Sequence, residues 1–251
     1  MTDSGGDMSI PASIAAAWGL TDRPSKGPKP GLSLQRVVQA GIAVADAEGL
    51  GAVSMARVAK ELGTATMSLY RYVAAKDELL LLMVDAAYGP PPTDVITDWR
   101  KGLSNWAWAE LKAFRRHPWG VRVPISGPPI TPNELAWFER GLALLRGTPL
   151  TATEKPSVIL LVSGYVRNVA TVEADLREAF EAANLSPDDA LNGYNRLVLS
   201  LTTPEAFPEV HAVVNAGTFD AADNPDDEFT FGLERILDGL DALIASRTTD
   251  G

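Results

Sequence analysis

The chain has 251 residues, 46% hydrophobic and 22% charged, which supplies enough apolar surface for a real core and excludes a largely disordered polymer. With no cysteine and only two histidines it excludes disulfide scaffolds, thiol nucleophiles and Cys-ligated zinc, and leaves little for a His-rich metal site. The formal net charge is −10, yet eight basic residues face six acidic ones between Arg23 and Tyr88, so the acidity belongs to the rest of the chain.

Residues 1–31 hold Gly5-Gly6, Pro11, Pro24, Gly27, Pro28 and Pro30, a composition that predicts a flexible N-terminal arm. Ile10, Ile14 and Trp18 recur at four-residue spacing and allow one short amphipathic turn within it. The start has no cationic stretch followed by an apolar run, so no secretory leader is expected.

Residues 32–88 form the next unit. Ser33 is placed to cap a helix with Leu34, Val38, Ile42 and Ala45 inward, and Gly49 to end it in the left-handed conformation. Ser54 caps a second helix with Val58, Ala59 and Leu62 inward, closed by Gly63. A third, very short helix is predicted over Thr66–Val73, anchored by Leu69 and Val73. Two short helices joined by a tight glycine-containing turn make a helix-turn-helix, whose second helix must be narrow enough for a groove ~12 Å wide. Thr66, Met67, Ser68, Tyr70, Arg71 and Tyr72 are then left largely outside. Hydroxyls bond bases or phosphates, and a threonine or methionine meets the thymine methyl. Two tyrosines around an arginine are unusual for mere solvation. Lys76 opens the following helix, where a lysine and free N–H groups can clamp a phosphate. The net acidity of the chain does not oppose this, because phosphates respond to charge within about a Debye length, ~10 Å.

Gly89-Pro90-Pro91-Pro92 separates this unit from residues 93–247. There the pattern is helical throughout, with no convincing strand, so the fold class is all-α. Thr131-Pro132, Ser186-Pro187, Thr203-Pro204 and Asn224-Pro225 each read as an N-cap followed by proline at the first helical position. Thr131 with Glu134 and Thr151 with Glu154 fit capping boxes. Two long helices, near 154–183 and 227–246, carry apolar stripes (Val158 to Phe180, and Phe229 to Ile244). Periodicity alone leaves open whether the stripes face a monomer's own core or a second subunit. The longest apolar runs, Leu79–Val84 and Val158–Val162, fall far short of the ~20 residues a membrane helix needs, so a soluble cytoplasmic protein without membrane contact is expected. Most of the aromatics in this part suit core packing. Trp106 and Trp137 with Arg140, and Tyr165 with Asn168, combine apolar walls with polar tips and are the candidate small-molecule pocket. His117 and His211 read as structural residues.

Residues 33–88 resemble the DNA-binding region of the tetracycline-repressor (TetR) family of bacterial regulators. The resemblance rests on Ala45–Leu50, on Ser54-Met55-Ala56-Arg57-Val58-Ala59-Lys60-Glu61-Leu62-Gly63, on Met67–Val73 and on Lys76–Leu80. The segment Phe229–Leu240 is similar to the last helix of the tetracycline-repressor branch. The resemblance implies a three-helix helix-turn-helix head on a helical-bundle body that binds a ligand and dimerises. The homodimer would read adjacent major grooves of double-stranded operator DNA, and a small-molecule effector would lower operator affinity, as in a repressor. The two long helices would form the four-helix dimer interface. By position, Thr66, Ser68 and Tyr70 approach base edges, while Ser54, Arg57, Tyr72 and Lys76 hold phosphates. Lys26 and Lys29 would serve as an arm reaching the DNA backbone or minor groove. The chain departs from the tetracycline repressor at Val121-Arg122-Val123-Pro124, which lacks the histidine that holds a magnesium–drug complex, so no metal or cofactor is expected. An enzyme is the rival class, but there is no Glu-x-x-His pair, no Ser-His-Asp set and no phosphate-binding glycine loop. A helical adaptor without DNA affinity would leave Thr66–Lys76 unexplained.

Overall fold

The computed structural model describes residues 10–20, 31–218 and 224–249, and among these it has eleven α-helices and no strand. Lys26 and Lys29, the cations of the expected arm, lie outside the described residues. The chain divides into two compact units, residues 1–167 and 168–251, with the division inside one long helix.

In the first unit α1 (Ala12–Ala17) lies on α2 (Leu34–Glu48) and α5 (Lys76–Tyr88). Only Ile14 of the predicted trio is buried; Ile10 and Trp18 stay exposed because one and a half turns of helix turn a single residue inward. Ser33 caps α2, accepting from the Arg36 N–H at 3.2 Å. The buried face of α2 is broader than the predicted stripe and includes Val37 and Val44. Gly49 does end the helix with φ of 81°, but its ψ of 163° places it in the extended glycine-only region rather than the left-handed helical one, and the chain enters a 3₁₀ turn at Leu50–Ala52.

Ser54 caps α3 (Met55–Glu61), accepting from the Arg57 N–H at 3.1 Å. Gly63, at φ 62°, lets the Thr64 N–H reach back to the Ala59 carbonyl at 3.0 Å, the six-to-one bond that closes a helix. The third helix, α4, spans only Thr66–Leu69, shorter than predicted. Its last carbonyl, Leu69, accepts from both the Tyr72 and Val73 N–H groups, so the chain finishes in turns. Leu69, Val73, Leu79 and Met83 are fully buried and share one core with α2 and α3. Each such side chain contributes about 1.5–3 kcal/mol by leaving water.

The Gly89–Pro92 break ends α5 without ending the packing, because α5 lies against both α6 (Trp99–Arg116) and α7 (Pro132–Leu144). Asp98 caps α6, accepting from the Lys101 N–H at 2.8 Å. A 3₁₀ turn, Pro118–Arg122, follows α6, and its Trp119 is buried in the core formed around α2. Thr131 opens α7 through a hydroxyl bond to the Glu134 carboxylate at 2.7 Å, the side-chain version of the predicted cap. Thr151 and Glu154 close a reciprocal box at the start of α8 (Glu154–Ala183), with bonds of 2.8 and 3.3 Å.

In the second unit α8 continues, followed by α9 (Pro187–Leu201), α10 (Pro208–Asn215) and α11 (Pro225–Thr249). Ser186 caps α9 and Asn224 caps α11. Thr203-Pro204 makes only a turn: the Ala206 and Phe207 N–H groups return to Thr203, and α10 begins at Pro208 behind Phe207. His211 is buried, its Nε2 2.9 Å from the Thr202 hydroxyl, whose proton goes to the Val198 carbonyl; this ties α10 to the end of α9. Phe229, Leu233, Leu237 and Leu240 of α11 are buried, whereas Val172 and Leu176 of α8 and Phe231 of α11 remain exposed in the single chain. No described helix is long and apolar enough to cross a membrane.

Candidate nucleic-acid interface and ligand cavity

The α3–turn–α4 element displays its side chains in two groups. Met67, Tyr70 and Arg71 are exposed, and Thr66 and Ser68 partly so, all held by the fully buried Leu69. Met67 is 75% exposed and Tyr70 45%. Lys76, the first residue of α5, is exposed too. Beside it Glu78 has turned inward: one carboxylate oxygen accepts from the Ala74 N–H at 2.9 Å and from the Ser13 hydroxyl at 2.8 Å. Glu78 is therefore spent on the fold, while Asp77, next to Lys76, stays exposed beside it.

Three predicted contacts prove to be engaged inside the molecule. The Ser54 hydroxyl caps α3. The Arg57 guanidinium bonds Glu48 through Nε at 3.1 Å and Glu61 through Nη1 at 2.9 Å, and the Arg57 hydrogen bonds hold the Glu48 carboxyl below its ordinary range. The Tyr72 hydroxyl donates its single proton to the Leu32 carbonyl at 2.9 Å, which fixes the approach to α2.

α5, α6, α7, α8 and the loop at 125–129 line a half-open cavity of about 320 Å³, within the range of small-molecule sites. Trp106 and Trp137 line it, in an edge-to-face pair with centroids 5.7 Å apart. Trp106 Nε1 donates to the Trp137 carbonyl at 3.1 Å, and Trp137 Nε1 to the Gly89 carbonyl at 2.9 Å. Tyr88 and Phe114 extend the aromatic wall, 4.9 Å apart and nearly perpendicular. Arg140 is not part of the lining; its guanidinium bonds the Asp94 carbonyl in the loop before α6. Tyr165 is half-buried on α8 away from the lining, and Asn168 is exposed at the start of the second unit. On α8 the inward positions are instead Ile159, Ser163 and Arg167, so the expected α8 pair was off register on the helix.

The polar groups that do face the cavity went unrecognised in the sequence. Glu110 is buried, and Ser163 Oγ lies 3.2 and 3.1 Å from its two oxygens. Burial pushes its carboxyl up to about 7. Tyr88 is likewise raised, first by burial and then by the Glu110 charge. Arg167 donates through Nη2 to the Val121 and Val123 carbonyls, both at 2.7 Å, and lies over the Phe114 ring. The signal for Glu110 was available: it occupies the stripe Trp106, Glu110, Phe114 at four-residue steps, where an apolar residue is expected.

Two joints link head and cavity within the first unit. Asp85, buried near the end of α5, accepts from the Asn133 N–H at 2.8 Å, the Glu134 N–H at 3.1 Å and the Asn133 amide at 3.0 Å, so it caps α7 from another helix. Asp46 of α2 accepts from Trp119 Nε1 at 2.6 Å and meets His117 Nδ1 at 2.8 Å. His117 is thus a helix-end residue, as its sequence context predicted.

Comparison with known proteins agrees with this layout. The pattern of the bacterial regulatory proteins of the tetR family matches residues 37–83, and that of the tetracyclin repressor-like C-terminal domain matches residues 91–244. The chain is 40% identical over 250 residues to the HTH-type transcriptional repressor DrrR1 of Streptomyces coeruleorubidus, covering 98% of this chain and 91% of that protein. Among solved structures, ActR of Streptomyces coelicolor in complex with actinorhodin has a TM-score of 0.71 at 29% identity, covering 86% of this chain and 98% of ActR. The ActR complex with (S)-DNPA gives 0.67 at 29%, with coverage of 84% and 98%.

Proposed function

The chain belongs to the TetR family of DNA-binding transcriptional regulators, and from that premise we propose that it is a dimeric repressor which leaves its operator when a small molecule fills the cavity between α5 and α8. The observation that carries the reading is the exposed Met67–Arg71 surface held on a buried Leu69, with the aromatic cavity on the far side of α5. Functionally the chain then divides into an arm (1–31), a DNA-binding head (32–88) and an effector and dimerisation body (93–247). Thr66, Met67, Ser68 and Tyr70 meet base edges, and Arg71 and Lys76 hold phosphates. Arg57 and Tyr72 shape the surface, since Arg57 is paired with Glu48 and Glu61 and Tyr72 gives its proton to the Leu32 carbonyl, whereas the Ser54 hydroxyl only accepts as the cap of α3 and keeps its proton for a phosphate.

Support for an effector comes from relatives solved with actinorhodin and (S)-DNPA; which compound acts here is set by this cavity alone. Release requires that the effector bind one arrangement of the heads better than the other. The Asp85 and Asp46 joints are where a change at α6 or α7 reaches α5 and α2. The protein acts in the cytoplasm, where the operator is, and performs no catalysis.

Selection of bound sites from random duplex DNA tests this directly. We expect a near-palindromic site, with retention that falls steeply as salt rises; unselective or absent retention would refute it. The dimer is tested by Val172→Glu with Leu176→Glu, two side chains exposed in the single chain. The double variant is expected to sediment as a monomer with unchanged helicity and to lose operator binding, because one head reads only a half-site.

A further inference from the structure

Glu110 is the least provided-for polar group of the cavity. It stands on α6 one turn after Trp106 and one turn before Phe114, and all three line the cavity. Its two oxygens share one protein donor, the Ser163 hydroxyl, at 3.2 and 3.1 Å. A hydroxyl has one proton, whereas a carboxylate offers about four lone-pair sites, so acceptor capacity is left over in a dry place. The remaining charged and titratable lining groups are Tyr88 from α5, Glu134 from α7 and Arg167 from α8. Arg167 sends Nη2 to two backbone carbonyls at 2.7 Å, and Glu134 is bonded by the Thr131 hydroxyl at 2.7 Å. Arg167 is the one cation of the lining, and its field favours the ionised Glu110 carboxylate, but burial outweighs it. Trp106, Phe114, Trp137 and Tyr88 line the same cavity, packed edge-to-face on one another.

We propose that Glu110 is the specificity-determining residue of this cavity and that it selects a flat polycyclic effector bearing a protonated amine. The inference deepens the reading of the cavity as the effector site and rests on it. The rings of the effector stack among the four aromatic side chains, and the ammonium supplies the donors that Ser163 cannot. In the empty cavity burial holds the Glu110 carboxyl at about 7, so an arriving cation favours the ionised form and binding releases a proton near neutrality. An effector that offered a carbonyl instead would need Glu110 protonated and would show the opposite pH trend.

The test uses the full-length protein and three fluorescent probes of one shape: aminomethyl-anthracene, hydroxymethyl-anthracene and anthracene carboxylate. The amine is expected to bind at least about tenfold more tightly than the alcohol, with the carboxylate weakest. Its affinity is expected to rise severalfold from about pH 6 to about pH 8, as Glu110 ionises while the amine stays protonated. Glu110→Gln is expected to abolish both the preference and the pH dependence. Ser163→Ala, which keeps the carboxylate and removes its donor, is expected to preserve or increase the preference. Equal binding of amine and alcohol, a preference that survives Glu110→Gln, or tighter amine binding at the lower pH each overturns the role of Glu110 while leaving the effector site standing. Failure of all three probes to bind overturns the cavity reading itself.

Discussion

The α4 surface and the cavity behind α5 handle polar groups in opposite ways. On the surface the useful side chains are wet, and what surrounds them is spent on holding them out: Glu78 is turned inward, Arg57 is paired, and the Tyr72 proton is given to Leu32. In the cavity Glu110 is buried among aromatic rings, with the Ser163 hydroxyl as its hydrogen-bond donor and the Arg167 charge nearby. The surface therefore costs the fold little and can be altered without unfolding it. The cavity holds a carboxyl that burial keeps partly protonated near neutrality and that a ligand cation can ionise, which is how binding there can gain leverage over the rest of the molecule.

The sharpest way to break this contrast is at the joint between the two regions. Asp85→Ala leaves the first N–H groups of α7 without their carboxylate in a buried site, and is expected to cost about 3 kcal/mol of stability. Thermal melting measures it, and a change of Tm within error would show that α7 does not depend on α5.

Glu110→Gln is expected to act in the other direction. Burial raises this carboxyl from 4.5 to about 7, so the native state keeps a proton that the unfolded chain loses. Stability is then unaffected by this group below about pH 4.5, falls as pH rises toward 7, and stays reduced above it by about 3 kcal/mol. The variant should melt higher than the parent near pH 8, with the gap closing near pH 4; a gap independent of pH would remove the charge from the explanation.

Substitutions on the DNA-facing side should leave melting nearly unchanged, within about 0.5 kcal/mol. Tyr70→Ala is expected to weaken operator binding by about 1–3 kcal/mol and to relax selectivity at one base pair. Lys76→Ala should weaken all duplexes alike, by about 1 kcal/mol, and lower the salt slope by about one ion. Selective loss in the lysine variant, or uniform loss in the tyrosine variant, would exchange their roles.

The two regions were also unequally legible. The head could be read because its determinants are local: a capping serine, a closing glycine and buried Leu69 lie within a few residues of the side chains they display. The caps of α8, α9 and α11 were readable for the same reason. Thr203-Pro204 had the same local signature yet forms a turn. Of the five residues grouped as a pocket from composition, Trp106 and Trp137 line the cavity and Arg140, Tyr165 and Asn168 do not, because composition says nothing of how α7 and α8 are rotated.

By itself the sequence determined an all-α chain, several of its helix starts, and a short exposed helix suited to duplex DNA, because hydrogen-bonding caps and apolar periodicity act over three to five residues. Only the tertiary structure decided which side of each helix faces a neighbour. That packing brought Glu110, Ser163 and Arg167 to one cavity, gave the Asp85 carboxylate to a helix 48 residues away, and seated Trp119 beneath α2. Such contacts depend on the mutual rotation and spacing of whole helices, a quantity settled by the collective fit of many side chains and encoded at no single position.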